Sequence, residues 1–128
     1  MSDDLKQVIV IRKDLKMRYG KGVSQGSHAS GEFMKEQLLA ILDGGQLTLS
    51  ADEIAWMRTG MAKITVRSDS EEQFYAVRDH ALELGLKVRL ITDSGRTEFD
   101  NVPTVTALAI GPDRVETIDK VTGGMTLL

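Results

Sequence analysis

The sequence predicts an α/β protein in which helices cover both faces of a mixed sheet of four strands. Three observations predict this class. The 128 residues suit a single domain, 1–128, which no Pro/Gly/Ser-rich linker divides. Four short apolar runs have the composition of buried strands, and the segments between them repeat their apolar residues at helical spacing. The resulting order, βααβαββα, is typical of a sheet between two layers of helices.

The first half of the chain predicts one strand and two helices. Val8–Ile11 is a continuous β-branched run, as in a strand buried on both faces. Apolar residues then recur at helical spacing over Gly22–Leu42, and Asp43-Gly44-Gly45 predicts the end of this helix. Ser50 is a good N-cap for a short helix over Ala51–Met57.

The second half predicts three strands and two helices. The strands are Ala62–Val66, Val88–Ile91 and Val105–Ile110. One helix follows Ser70, over Glu71–Leu84, and a last short helix is introduced by Pro112 and Asp113. Since ligands usually bind at the carboxyl ends of parallel strands, the segments 12–26 and 92–97 are the first candidates for a site.

Composition restricts the function classes. The formal charge of −3 argues against a generally basic nucleic-acid binder. The absence of cysteine excludes a disulfide scaffold, thiolate zinc sites and a cysteine nucleophile, and two histidines cannot form a three-histidine metal site. The N-terminus has no signal-peptide pattern, and no apolar run is long enough to cross a bilayer. We therefore expect a cytoplasmic protein without metal or other cofactor.

The segment from Arg12 to Lys21 contrasts with this acidic background. It carries five basic residues and one acid, Asp14, and so has a local charge of +4. Gly20 and Gly22 follow, next to the predicted helix start. Free N–H groups, the helix dipole and lysines together suit phosphate, although a solvated charged loop would have the same composition. The glycine spacing matches neither a Walker loop nor a dinucleotide fingerprint.

Two sets of polar residues could carry chemistry. Lys21, Gln25 and His28 stand at i, i+4 and i+7 and share one helix face. They could orient a substrate or assist proton transfer, and a histidine in this position could equally be a packing residue. Asp93, directly after a predicted strand, could orient water, act as a base, hold a lysine or cap the next turn. Local pattern leaves these alternatives open.

Taken together, these segments resemble the type two peptidyl-tRNA hydrolases, the archaeal and eukaryotic kind. The resemblance covers nearly the whole chain in order. It is carried by Asp14-Leu15-Lys16-Met17, Gly20-Lys21, Gln25-Gly26-Ser27-His28-Ala29, Leu90–Thr97, Thr104–Pro112 and Ile118–Gly123. It implies a single-domain three-layer α/β/α sandwich with a four-stranded mixed β-sheet, a homodimer, no metal, and hydrolysis of the ester that joins a peptide to tRNA.

The resemblance also implies site residues. They are Lys16, Lys21, Gln25, Ser27 and His28 around the glycines, Asp93 and Thr97 in a second cluster, and Thr104 or Thr106 in a third. Our hypothesis is that Asp93 holds Lys21 or a water, that Lys21 faces the oxyanion, and that Gln25 and Thr97 position substrate carbonyls. Lys16 and Arg18 would attract tRNA phosphates. The general base, whether Asp93, His28 or a water chain, is left open.

The sequence departs from the family pattern at Arg18-Tyr19, where members usually have a Gly-Lys pair. Because this changes the loop surface, two other functions stay open. One is an RNA- or protein-binding module that keeps the fold without the activity, and the other is a hydrolase of a different acyl ester or amide.

Overall fold

A computed structural model describes residues 4–128 and contains one sheet of four strands. The strands are β1 (Leu5–Arg12), β2 (Lys63–Ser68), β3 (Val88–Asp93) and β4 (Thr104–Arg114), in the order β2-β1-β4-β3. β1 is parallel to β2, whereas β4 is antiparallel to both β1 and β3. The carboxyl ends of β1, β2 and β3 therefore lie at one edge, together with the start of β4.

The helices are α1 (Tyr19–Leu42), α2 (Ala51–Arg58), α3 (Glu71–Glu83) and α4 (Val115–Thr122), with a 3-10 turn at Lys13–Leu15. The predicted class and the order of elements are confirmed. Local signals also start and end the helices as expected. Ser50 and Glu53 form a capping box at α2, Ser70 caps α3, and Gly44 and Gly85 adopt positive φ after α1 and α3.

Successive side chains of β1 point to opposite faces of the sheet and so contact different helical layers. Val8 and Val10 face a core cluster shared with Phe74 of α3 and Ile118 of α4. Ile9 and Ile11 face the opposite way, toward α1. α2 joins the α1 layer through a contact between the rings of Phe33 and Trp56, whose centroids are 5.9 Å apart. No helix within residues 4–128 is long and apolar enough to cross a membrane.

Two predicted boundaries are wrong. α1 begins at Tyr19 rather than Gly22, because its first turn is exposed and glycine-bearing and so gives no apolar spacing to read. Pro112 and Asp113 do not introduce α4, which begins at Val115. They extend β4 instead, since the start of β1 continues the ladder past the proline and pairs Lys6 with Asp113.

Candidate active site

The two segments that the sequence singled out meet at the carboxyl edge of the sheet. Lys21 projects from the first turn of α1, and its Nζ donates hydrogen bonds to Asp93 Oδ1 at 2.8 Å and to Thr97 Oγ1 at 2.7 Å. The side chains of Lys21 and Asp93 are only 15% and 12% exposed. Residues more than seventy positions apart in the chain thus form one partly desolvated ion pair.

Gln25 extends this cluster one helical turn further along α1. The side chain is buried; its Nε2 lies 3.4 Å from Asp93 Oδ1, and its Oε1 accepts a hydrogen bond of 2.5 Å from Thr106 Oγ1. Thr106 is itself fully buried in β4. Since a hydroxyl donates to the carbonyl oxygen, the amide group is left to face Asp93. A chain of contacts therefore runs from the sheet through Gln25 to the carboxylate.

Asp93 combines two of the roles that the sequence left open. One carboxylate oxygen holds Lys21, while the other accepts a hydrogen bond from the Gly95 N–H at 2.9 Å and so caps the turn after β3. Gly95 is required there, because its φ is +86° and a Cβ would lie 2.2 Å from the carbonyl oxygen of Val102. The turn fixes the direction in which the carboxylate points.

The electrostatics of the cluster favour an ionised Asp93. The hydrogen bond from Lys21 lowers the pKa of Asp93, and the Gly95 N–H and the charges of Lys21 and His28 act in the same direction against the opposing effect of desolvation. The carboxylate is consequently charged at neutral pH and serves as a hydrogen-bond acceptor.

His28 lies at the open side of the cluster. It is exposed, and it lines a cleft of about 450 Å³ together with Gln25 and Asp93. Its ring makes no hydrogen bond to any residue in the 4–128 range. The packing role considered for this histidine is therefore wrong, and its side chain is accessible to a substrate.

The remaining predicted site residues make no side-chain hydrogen bond to this cluster, although Thr104 is paired with Asp93 in the sheet. Ser27 donates a hydrogen bond to the carbonyl of Val23 on its own helix, and Thr104 to that of Val102. Lys16 and Arg18 are exposed near the start of α1. Gly20 and Gly22 lie inside the first turns of α1, where a Cβ would meet no atom within 4 Å. Between the two threonines of β4, the structure brings only Thr106 to Gln25.

Arg12, one of the five basic residues of the +4 segment, is occupied by internal contacts. The residue is 6% exposed and donates to Asp14 Oδ2 at 2.7 Å, to Glu71 Oε2 at 3.2 Å and to the carbonyl of Val105 at 3.0 Å. Burial opposes its charge, but Asp14 and Glu71 outweigh this and raise the pKa of Arg12. Lys21 is also paired internally, whereas the side chains of Lys13, Lys16 and Arg18 face solvent. Among these three, Arg18 still forms an ion pair, since its Nε lies 3.5 Å from Glu98 Oε1.

Asp14, two residues after the buried end of β1, is the signal that could have identified this role of Arg12. In the described part of the chain, no three His, Asp or Glu side chains are grouped so that they could hold a metal ion.

Comparison with known proteins gives a consistent result. The family described as "Peptidyl-tRNA hydrolase PTH2" matches residues 5–128. A peptidyl-tRNA hydrolase of Methanocaldococcus jannaschii is 41% identical over 97% of this chain and 100% of that protein. One from Methanopyrus kandleri is 39% identical over 96% of this chain and 97% of that protein. Human mitochondrial peptidyl-tRNA hydrolase 2 is 38% identical over 98% of this chain and 65% of that protein.

A solved structure shares the fold alone. It is a protein of unknown function from Agrobacterium tumefaciens, with a TM-score of 0.61 and 15% identity, and the match covers 100% of this chain and 99% of that one.

Proposed function

The chain belongs to the peptidyl-tRNA hydrolase PTH2 family, and from this premise we propose that it hydrolyses the ester between a peptide and the 3′-terminal ribose of tRNA at the Lys21–Asp93 cluster. Its catalytic residues are Lys21, Asp93, Gln25, His28 and Thr97. The reaction adds water to the ester carbonyl and releases a free peptide carboxylate and tRNA.

One observation carries this assignment, the hydrogen bonding of the Lys21 ammonium. An ammonium has three N–H donors. Asp93 and Thr97 accept two of them at 2.8 and 2.7 Å, which leaves one donor for a substrate. As the ester carbonyl becomes tetrahedral, its oxygen gains negative charge, and a fixed donor stabilises that charge more than it stabilises the neutral ester. Lys21 therefore acts as the oxyanion donor and Asp93 holds it in place.

The lowered pKa of Asp93 makes this carboxylate a weak base and favours its role as an acceptor. An imidazole is better suited to take a proton near neutral pH. His28 is exposed in the same cleft and has no internal hydrogen bond among residues 4–128. We assign His28 as the base that removes a proton from the attacking water.

Gln25 and Thr97 contribute orientation. Gln25 is fixed by Thr106, so its amide presents a constant donor beside Asp93. Thr106 acts through Gln25 and is a positioning residue. Thr97 shares the Lys21 amine and lies where the substrate carbonyl would approach. The exposed cations Lys16 and Arg18 attract phosphates, and the bare first turn at Gly20 and Gly22 lets the substrate approach the backbone.

The biological setting is part of the proposal. We propose a cytoplasmic homodimer that recycles tRNA after translation has been aborted, in line with the family to which the chain belongs.

The experiment is hydrolysis of one defined peptidyl-tRNA, compared with the matching aminoacyl-tRNA and with a small ester of the same peptide. Turnover of peptidyl-tRNA alone supports the proposal. Salt-sensitive binding of tRNA without turnover would instead indicate a binding module. Turnover of the small ester at the same rate would indicate a hydrolase that does not recognise tRNA.

A further inference from the structure

A second cavity lies on the opposite flank of α1 from the Lys21–Asp93 cluster. It has a volume of about 820 Å³ and runs between α1 and the edge strand β2, within the size range of ligand sites. α1 packs against β1, β4 and β3 and leaves this face of β2 open. The floor and walls are apolar and rich in methionine, and include Ile9, Ile11, Met17, Met34 and Met61.

The charge of this groove differs from that of the whole protein. Among the described residues, no acidic side chain lines the groove. The basic side chains that line it are Arg12, Lys13, Lys16, Arg18 and Lys63. Arg12 is neutralised by its own carboxylates. Lys13, Lys16 and Lys63 form no ion pair within residues 4–128. The whole chain has a formal charge of −3, so the unpaired lysines make this groove a local exception. A ligand that fits it must carry negative charge and must also have a flat or apolar part that can contact the apolar walls.

Tyr19 adds a recognition element at the end of the groove. Its side chain is 89% exposed although it opens α1, and it stands beside the exposed Arg18. A bare aromatic ring next to cations is the arrangement with which proteins stack unpaired bases and hold their phosphates. No contact within the described residues buries this ring.

The first turn of α1 connects the groove with the catalytic cluster. Gly22 lines the groove, and Lys21, its neighbour, reaches Asp93 on the other flank. Side chains are absent at Gly20 and Gly22, where the fold has room for them. A polymer lying in the groove can therefore cross this turn and place its end beside Lys21.

We propose that this groove binds the unpaired nucleotides at the 3′ end of the tRNA part of the substrate, with Tyr19 stacking a base and Lys63 and Lys13 contacting phosphates. The inference rests on the proposed function, since it places the esterified ribose at the end of this strand. It favours RNA over peptide as the occupant because the unpaired side-chain charges that line the groove are all positive.

The test measures RNA affinity without catalysis. Deacylated tRNA and a short single-stranded RNA with the tRNA 3′-end sequence are titrated against the full chain by fluorescence anisotropy. We expect Tyr19→Ala to weaken binding of both about five- to tenfold, and Tyr19→Phe to bind like the wild type because it keeps the stacking ring. Lys63→Gln should lower the slope of log affinity against log salt by about 0.7. Lys120→Gln, an exposed lysine on α4 in the opposite layer, is the matched control and should change neither quantity.

Three results would overturn the groove assignment. The first is that Tyr19→Ala and Lys63→Gln bind both RNAs with the affinity of the wild type. Unchanged RNA affinity with a KM that depends on peptide length would assign the groove to the peptide, and a change in sedimentation alone would assign it to a second copy of the chain. Failure of the proposed function looks different, since the wild type would then bind the RNAs through the groove and hydrolyse no peptidyl-tRNA.

Discussion

Two lysine–carboxylate pairs lie at opposite ends of the sheet, and they differ in what else their carboxylates hold. Lys21 and Asp93 are 2.8 Å apart at the carboxyl edge, and Lys87 and Glu53 are 3.0 Å apart near the start of β3. Both carboxylates have lowered pKa values. For Glu53, burial opposes the shift and is outweighed by hydrogen bonds from the Ser50 N–H and from Lys87.

The lysines and the surroundings are different. Glu53 is 3% exposed and completes the capping box of α2, while its lysine is 51% exposed and faces solvent. At the other pair both partners are largely shielded from solvent, and a hydroxyl, an amide and an imidazole lie around the ion pair. The comparison teaches that an ion pair is a candidate for catalysis when several polar groups converge on it beside an open cleft, whereas a pair that closes a helix cap contributes to stability.

The largest difference is expected when the two lysines are replaced. Lys21→Met should lower kcat about 100- to 1000-fold, because it removes the donor for the oxyanion. Lys87→Met is the matched control and should keep the wild-type kcat. Single-turnover hydrolysis of peptidyl-tRNA measures both, with circular dichroism to show that each variant is folded. Full activity of Lys21→Met would reject the assigned role.

Replacement of Asp93 tests whether the carboxylate acts through Lys21. Asp93→Asn keeps the shape and an acceptor for Gly95 but removes the charge that holds the amine, and we expect kcat to fall about 100-fold. His28→Gln should lower kcat by a similar or smaller factor, because it removes the group assigned as the base. An unchanged kcat in His28→Gln would assign the base elsewhere.

Thr106 should matter less, since it acts through Gln25. Thr106→Val is expected to lower kcat about tenfold by leaving the Gln25 amide free to rotate. Thr106→Ser keeps the hydroxyl and should restore the rate. If Val and Ser variants are equally slow, the threonine contributes packing and does not orient Gln25.

For the second pair, the expected effect is on stability. Glu53→Gln should reduce the free energy of unfolding by about 1–2 kcal/mol at pH 7, because the neutral amide loses the charge that pairs with Lys87 and strengthens the hydrogen bond from the Ser50 N–H. The pKa of Glu53 is lower in the folded protein than its ordinary value of 4.5. Its stabilisation is therefore present above pH 4.5 and declines as the pH falls below it. Urea titrations of the wild type and of Glu53→Gln should show that the difference between their free energies of unfolding becomes smaller below pH 4.5. The kcat of the variant should equal that of the wild type at pH 7.

The smallest effect is expected at Gly22, beside Lys21. A Cβ has room there, so Gly22→Ala should raise the free energy of unfolding by up to about 1 kcal/mol through helix propensity. The same methyl group should raise KM for peptidyl-tRNA, because it stands where the substrate crosses the first turn. Thermal melts and initial rates on the same sample would separate the two effects, and a variant that gains stability with an unchanged KM would contradict the crossing.

Local signals in the sequence predict the α/β class, the order of the elements and most helix ends, because each of these depends on residues that are close together in the chain. Val8–Ile11 is apolar throughout, and Ser50, Ser70, Gly44 and Gly85 cap helices through bonds that span a few residues. The resemblance to a family indicated which polar segments belong to one site. The start of α1 is exposed and contains glycine, so it has no periodic apolar pattern from which the helix start at Tyr19 could be predicted.

The partners of the polar side chains depend on tertiary packing and could not be predicted from local pattern. The family resemblance allows Thr104 or Thr106 in the site, and the register of β4 against its neighbours, with the packing of α1, brings Thr106 alone to Gln25. By residue type Arg12 could bind a phosphate, but the packing of α3 places Glu71 against its guanidinium group. These contacts join residues 59 and 81 positions apart, and no local propensity encodes such distances. The opening beside β2 likewise exists because α1 covers only part of the sheet, and that placement is a property of the packed layers.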